Sequence, residues 1–277
     1  MVDYDEISEQ NLGDGDALFA IKLDDDDRMK DHEKSKKEAE LLFWVQGVGS
    51  IKQVGGLDVY AKHEHCEESL KELFKYMKFD RQKEPFVKET LGKWAFLSKY
   101  LLPLLIFHHQ DKKLSFLCLM LCVQLTELPH KDCDSRIKIE LFRQLHISKS
   151  HFLAPKVIET LIMHANEILQ KEERSQKHDQ MIELIIVLLK QLLQIPEHED
   201  CASLASNKRN LQKSLLLAFK EHNVLDLLVF LSQEFTEPLN KKLAIHLLEM
   251  QYHIFKNFTP AQIVNPKAIQ SDAYSKV

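Results

Sequence analysis

From residue 38 onward, hydrophobic residues recur every three or four positions, the spacing of one face of an α-helix. The clearest case is CEESLKELFKYMKF, in which Leu70, Leu73 and Met77 fall on one face. Pro155 and Pro238 stand where first helical turns are expected, because that turn does not need the amide hydrogen that proline lacks. The pattern predicts about ten helices, most of roughly 10 to 20 residues, joined by short turns.

Two segments, KLSFLCLMLCVQLTEL and DQMIELIIVLLKQLLQI, are apolar nearly all round and predict fully buried helices. They are followed by Pro129 and Pro196, which mark their ends. Only 7 glycines and 8 prolines occur in 277 residues, fewer than the turns of a sheet-rich fold usually contain. Sequential helices around such a core predict an all-α protein, an α-solenoid of armadillo or HEAT type, with a compact helical bundle as the alternative.

Two stretches predict breaks between helices. The segment EAELLFWVQGVGSI begins a helix that loosens at Gly47 and Gly49, and the pair Gly55–Gly56 predicts a loop. In LLPLLIFHHQDKK, Pro103 predicts a kink or break before LLIF. We interpret the end of that stretch as a helix junction: His108 and His109 donate to free carbonyls at a helix end, and Asp111 caps a helix that begins at Lys112.

Charge and apolar content divide the chain into three parts. Residues 1–36 carry 12 Asp or Glu against 5 Lys or Arg and few apolar side chains, so we expect a disordered acidic leader. The helical domain is predicted over residues 37–265 and a tail over 266–277. The N-terminus lacks the basic and apolar order of a secretory signal, and the apolar runs are too short and too polar to cross a bilayer. We therefore expect a soluble intracellular protein without membrane contact.

The five cysteines are odd in number and widely spaced, which is typical of buried reduced thiols; they are Cys66, Cys118, Cys122, Cys133 and Cys201. HEHC at 63–66 and HKDC at 130–133 contain metal-ligating residue types, but their separation is unlike that of a zinc finger. No nucleotide-binding or hydrolase motif occurs. We predict no metal, no cofactor and no enzyme, and a metal-dependent enzyme that uses His63, His65 and Cys66 is the least favoured hypothesis.

Basic residues recur near predicted helix starts, and a solenoid can bring successive helix starts onto one edge. Such an edge could neutralise phosphates, which supply most of the affinity of DNA binding. An ordinary solvated surface with interspersed glutamates is the alternative. The candidate DNA-binding residues are Lys71, Lys75, Lys78, Arg81, Lys112, Lys113, Lys208 and Arg209.

Several of these stretches, taken together, resemble the N-terminal domain of the Timeless family of replication-fork proteins over roughly residues 40–265. The motifs are ESLKELFKYMKFD, LGKWAFLSKYLLPLLIFHHQDKKLSFLCLMLCVQLTELP, HDQMIELIIVLLKQLLQIP, NVLDLLVFLSQEF and LAIHLLEMQYHIFKNFTPAQIV, and they occur in the family's order. Gln124 stands where the family has asparagine, and Lys190 and Gln191 stand where it has arginine and asparagine. The acidic leader is an addition to the family pattern.

The resemblance implies an armadillo/HEAT-like solenoid. It also implies a non-enzymatic role and a nuclear localisation. Family members pair with Tipin, accompany the replicative helicase and polymerase, grip duplex DNA ahead of them, and support checkpoint signalling and cohesin-dependent cohesion. The same superfamily includes circadian Timeless proteins, so a clock scaffold that binds Period is the alternative. Family proteins are usually much longer, and we expect this chain to be a fragment or a short isoform.

Overall fold

The computed structural model describes residues 32–197, 210–233, 237–256 and 258–259. The chain divides into two compact units, residues 1–44 and 45–277. Helix α1 covers residues 32–46, so it includes five residues that the composition assigns to the acidic leader. The rest of that leader, the tail over 266–277, and Cys201, Lys208 and Arg209 lie outside the described residues, and the predicted domain boundaries stay predictions.

The second unit begins with two strands and continues with helices. The strands are β1 (Gly49–Val54) and β2 (Leu57–Lys62). The helices are α2 (Cys66–Lys78), α3 (Phe86–Lys93), α4 (Leu102–Phe107), α5 (Lys112–Thr126), α6 (Ser135–Phe152), α7 (Pro155–Leu169), α8 (Gln176–Gln194), α9 (Leu211–Glu221), α10 (Val224–Leu231) and α11 (Pro238–Phe255). The predicted all-α class is confirmed, with this one hairpin as an addition among the described residues. None of the helices in the described ranges is both long and apolar enough to cross a membrane.

The predicted loosening at Gly47 and the predicted loop at Gly55–Gly56 are confirmed, but the two strands beside that loop were not predicted, because residues 49–62 form an antiparallel hairpin. Gly55 and Gly56 make the turn with φ of 61° and 81°, left-handed values that a two-residue hairpin turn requires and that glycine adopts without strain. Strand β2 packs against α4, and Tyr60 from that strand is 1% exposed. The hairpin therefore adds the Tyr60 side chain to the helical core.

The helices of the second unit stack with a period of three. Helices α2, α5, α8 and α11 lie side by side in that order, α3 packs against α6, and α4 packs against α7. This repetition is that of a helical-repeat solenoid rather than of a compact bundle. The first helices of successive repeats, α2, α5, α8 and α11, begin at residues 66, 112, 176 and 238. These unequal intervals explain why the repeat is weak in the sequence, and the assignment to the armadillo type stays a prediction.

Position in this row explains the two all-round apolar helices. Helix α5 lies between α2 and α8, and α8 lies between α5 and α11. Each therefore has a neighbour on two sides, and burial extends around most of its circumference, as predicted. Leu119 and Leu121 of α5 and Leu188 and Leu189 of α8 are fully buried. Complete burial of such a side chain contributes ~1.5–3 kcal/mol.

The chain changes helix type just before Pro103. Residues Leu97–Leu101 form a π-helical turn, in which the amide of Leu102 donates to the carbonyl of Leu97. Pro103 then lies in the first turn of α4, where its missing amide hydrogen costs nothing. Proline clashes with the carbonyl four residues earlier in a regular helix, so the wider turn relieves the conflict. The helix does not break at Pro103, since the chain stays helical from Leu97 to Phe107; the proline is accommodated by the change of helix type before it.

A buried lysine, Lys149, forms hydrogen bonds that connect α6 with α8 and α9. Lys149 of α6 is 0% exposed, and its ammonium donates to the carbonyl of Ile195 at 2.9 Å and to Oε1 of Gln212 at 2.7 Å. Ile195 ends α8 and Gln212 lies in the first turn of α9. Burial lowers the pKa of the Lys149 ammonium to about 8. The side chain thus fixes how the end of α8 and the start of α9 meet α6.

Candidate functional site

The junction between α4 and α5 is built as predicted at His109 and Asp111, but not at His108. His109 Nδ1 lies 3.1 Å from the carbonyl of Ile106 at the end of α4. The Asp111 carboxylate accepts a hydrogen bond of 3.1 Å from the amide of Leu114, and so caps α5. His108 reaches outside the junction, with Nε2 3.1 Å from the carbonyl of Tyr60 in β2. The two histidines therefore have different structural partners, and the junction fixes the position at which α5 begins.

Lys62 of β2 completes this junction. Its ammonium donates to Asp111 Oδ2 at 3.0 Å. Partial burial tends to raise the pKa of the Asp111 carboxyl, but the hydrogen bonds from Lys62 and from the Leu114 amide outweigh it and hold the pKa below its usual value. The same hydrogen bond raises the pKa of Lys62. The hairpin and the start of α5 are thereby tied together by an ion pair, immediately beside Lys112 and Lys113.

Six of the eight candidate DNA-binding residues lie in the described ranges, and all six are exposed. Lys71, Lys75 and Lys78 belong to α2, Arg81 follows that helix, and Lys112 and Lys113 form the first turn of α5. Because α2 and α5 are neighbours, the structure brings these two groups onto adjacent helices. Their role in DNA binding remains a prediction.

Four of these six side chains pair with three carboxylates. Lys71 and Lys113 both face Glu67 Oε2, at 3.9 and 2.5 Å, and so share one partner across the α2–α5 contact. Lys75 pairs with Glu72 at 2.6 Å. Lys112 pairs with Glu167 at the end of α7, and the hydrogen bond from Lys112 lowers the pKa of the Glu167 carboxyl.

The two remaining candidates, Lys78 and Arg81, have no carboxylate partner within ion-pair distance in the described part of the chain. Both line a surface depression at the end of α5 opposite to Lys112, and Asp80 and Glu127 line it too, without lying within ion-pair distance of either side chain. Lys78 and Arg81 are therefore the two members of the predicted set without an ion-pair partner among the described residues.

The first turns of α5 and α8 and the last turns of α7 line a half-open cavity of about 450 Å³, which we call the α5–α8 cavity. Lys112 lies at its edge, with Nζ 3.2 Å from Nδ1 of His164. His164 is 1% exposed, and burial, reinforced by the charge of Lys112, lowers its pKa to about 4. Sequence reasoning missed His164, Lys171 and Lys177 around this cavity. The lysines flank a turn instead of joining a basic run, and a lone histidine in an apolar helix carries no signal of its own.

Four of the five cysteines lie in the described part of the chain. Cys66, Cys118, Cys122 and Cys133 are free and buried, which confirms the prediction for these four. Burial raises the pKa of the Cys122 thiol to about 12, so it is not a nucleophile at neutral pH. Within the described residues, no group of three or more His, Cys, Asp or Glu is placed to hold a metal ion. His65 instead lies 3.6 Å from the carboxylate of Glu68.

The Timeless protein family model matches residues 59–276 of this chain, from β2 to beyond α11. The chain belongs to the Timeless family. It is 29% identical over 234 residues to the Protein timeless homolog of Homo sapiens, covering 81% of this chain and 19% of the relative. Its identity to the Protein timeless homolog of Mus musculus is also 29%, over 235 residues and with the same shares. This Timeless chain thus spans about a fifth of the length of these curated relatives.

The resemblance deduced from the motifs is confirmed by this match. The matched range contains α2 to α11, the junction of His108 to Asp111, the α5–α8 cavity and all the candidate DNA-binding residues. The acidic leader precedes the range. Every candidate site therefore belongs to the Timeless domain itself.

Proposed function

We propose that this Timeless chain is a non-enzymatic scaffold of the replication-fork protection complex, which supports DNA replication, fork stability, S-phase checkpoint signalling and sister-chromatid cohesion in the nucleus. The family match over residues 59–276 carries the proposal. Its partners would be a Tipin-type protein, the replicative helicase and polymerase, and cohesin. A stack of helices supports such a role, because each added repeat extends a surface on which other proteins can be held.

Capture from replicating cells tests the scaffold role. The full chain, carrying an affinity tag, is cross-linked in S phase, and the attached proteins are identified by mass spectrometry. We expect replisome subunits and a Tipin-type partner to be enriched over a tagged, unrelated helical protein. Enrichment of Period without replisome subunits would instead establish the circadian role and would refute the proposal.

We further propose that the scaffold touches duplex DNA, and that Lys78 and Arg81 contribute most. Both are exposed and lack carboxylate partners among the described residues, whereas Lys71, Lys75, Lys112 and Lys113 share their charge with glutamates. A lysine already paired with a carboxylate gains less from a phosphate, since the carboxylate repels the approaching anion. Binding should depend steeply on salt, as counterions are released from the duplex.

Fluorescence anisotropy of the full chain with a labelled duplex, over a series of salt concentrations, tests this interaction. The double variant Lys78→Glu/Arg81→Glu should weaken binding and flatten the plot of log K against log salt by about 0.9 for each phosphate that the variant no longer neutralises. Arg136→Glu/Lys138→Glu on α6 makes the same change of charge elsewhere and serves as the control. If the unmodified chain binds no duplex at low salt, or if both double variants weaken binding equally, DNA binding through these residues is wrong.

A further inference from the structure

The α5–α8 cavity has apolar walls and a basic rim. Phe116, Ile168 and Met181 form its walls, and the last two are 6% and 4% exposed. Lys171 and Lys177 lie on the rim, on either side of the turn between α7 and α8, and both are exposed. At about 450 Å³ the cavity is within the range of roughly 300–1,000 Å³ that is typical of ligand sites.

His164 lies beside this cavity and carries a buried hydrogen-bond donor. A lysine ammonium can only donate, so the contact from Lys112 Nζ makes Nδ1 of His164 the acceptor and places the hydrogen of the neutral ring on Nε2. That Nε2 atom is buried and has no hydrogen-bond partner among the described residues. Leaving a buried donor unsatisfied costs ~1–3 kcal/mol, and because this atom is closed to solvent, a molecule in the cavity does not reach it.

The charges around the cavity favour one anionic group rather than many. Lys112 is neutralised by Glu167, and Lys113 by Glu67, so these lysines bring carboxylates with them. Lys171 contacts His178 Nε2 at 2.9 Å, and neither Lys171 nor Lys177 pairs with a carboxylate in the described part of the chain. The positive end of the α8 dipole adds to these two charges. A ligand with many negative charges would be repelled by Glu67 and Glu167, whereas a single carboxylate at Lys171 and Lys177 would avoid them.

We propose that the α5–α8 cavity binds a short peptide segment of a partner protein, in which a large apolar side chain is followed or preceded by an acidic one. The apolar side chain occupies the space between Phe116, Ile168 and Met181. The acidic side chain meets Lys171 and Lys177. This binding deepens the scaffold function proposed above by naming the chemistry of one docking segment.

Selection from a displayed library of random 12-residue peptides, with the full chain as bait, tests the proposal. Gln180→Trp places a bulky ring on a residue that lines the cavity, and Gln176→Trp places the same ring on the exposed start of α8, outside the cavity. We expect peptides enriched on the unmodified chain and on Gln176→Trp, but not on Gln180→Trp. Their common feature should be a Leu, Ile, Phe or Trp beside an Asp or Glu.

The enriched peptide is then synthesised with a fluorescent label, and its affinity for the variants measures the contribution of the rim lysines to binding. Lys171→Glu/Lys177→Glu should weaken its binding at least tenfold, whereas Lys83→Glu/Lys131→Glu, an equal change of charge at exposed residues outside the cavity, should leave it unchanged. Thermal unfolding of every variant confirms that each is folded.

Three results would overturn the proposal. One is the absence of any peptide that distinguishes Gln180→Trp from Gln176→Trp. Another is binding of the free aryl carboxylate 4-phenylbutyrate as tight as that of any peptide, which would make the cavity a small-molecule site. The third is a labelled DNA duplex that binds the unmodified chain but not Gln180→Trp, which would make it a nucleic-acid site. Peptide selection involves neither replisome capture nor DNA, so the proposed function can fail while this inference stands, and the reverse.

Discussion

Lys149 shows how a charged side chain is kept in the interior of this Timeless domain. Its ammonium is fully buried but has two oxygen acceptors, one on the carbonyl that ends α8 and one on Gln212 of α9. Burial favours the neutral amine and lowers the pKa to about 8, so the group stays mostly protonated at neutral pH. Its hydrogen bonds compensate part of the cost of removing the charge from water.

Replacing Lys149 by methionine should destabilise the domain at pH 7. The thioether fills a similar volume but leaves the carbonyl of Ile195 and Oε1 of Gln212 without this donor. We expect a loss of ~1–3 kcal/mol in the free energy of unfolding. Urea denaturation measures it, with Lys156→Met at an exposed position of α7 as the control.

The loss should grow in alkaline solution. The folded-state pKa of about 8 is below the ordinary 10.5, so between these values the unfolded chain binds more protons than the folded one. The free energy of unfolding of the unmodified protein then rises with pH, by at most about 1.4 kcal/mol per pH unit from this group. The methionine variant lacks this contribution. A penalty that stays constant from pH 8 to pH 10 would show that Lys149 titrates normally.

At the scale of secondary-structure elements, the long amphipathic helices were predictable and the hairpin was not. A helix such as α7 or α8 repeats its apolar spacing over several turns, so the pattern is unambiguous. The strands have six residues each, and Ile51 of β1 is 58% exposed, so alternation is short and partly broken. The signal that could have found the hairpin is the pair Gly55–Gly56 between two β-branched and apolar runs.

The residues of the candidate site also divide into those whose roles were predictable from the sequence and those whose roles were not. The roles of His109 and Asp111 were predictable because capping involves atoms within three residues along the chain. The pairing of Lys113 with Glu67 and the burial of His164 depend on which helices become neighbours. Spacing along one sequence does not contain that information, so the neutralised and the free lysines could not be told apart.

Glycines of the hairpin should differ in their tolerance of substitution. A Cβ at Gly49 would lie 2.6 Å from the carbonyl oxygen of Ala61 and 2.8 Å from the Tyr60 ring, whereas a Cβ at Gly55 meets nothing within 4 Å. Gly49→Ala should therefore cost about 1–3 kcal/mol of unfolding free energy. Gly55→Asn should change it by less than about 0.5 kcal/mol, since asparagine accepts the left-handed φ of 61°. Thermal unfolding compares the two, and equal losses would contradict the hairpin geometry.

At the scale of the whole molecule, α11 presents an apolar stripe to solvent. Ile245, Leu248, Tyr252 and Phe255 are 69%, 67%, 64% and 49% exposed and recur at intervals of three or four residues. In the described part of the chain, α11 is the last helix of the row, and its opposite face packs against α8. A contiguous apolar surface of this kind differs from single exposed apolar residues, which are ordinary.

The stripe should bind a hydrophobic fluorescent dye. Leu248→Glu/Tyr252→Glu should lower the fluorescence of bound 8-anilinonaphthalene-1-sulfonate by more than half, and should change stability by less than about 0.5 kcal/mol because both residues are exposed. Phe79→Glu removes an 80% exposed ring elsewhere and should have a small effect. Equal fluorescence of all three proteins would mean that the stripe is not open to solvent.

The row of α2, α5, α8 and α11 has a thermodynamic consequence. Each of these helices is held mainly by its neighbours, so the second unit behaves as a short linear lattice of coupled segments instead of a single cooperative body. Opening then begins at a terminus and moves inward, since an end segment is coupled on one side and an interior segment on two. Amide hydrogens of α5 and α8 should consequently exchange with solvent more slowly than those of α11, and the gradient of protection along the lattice would measure the coupling between successive repeats.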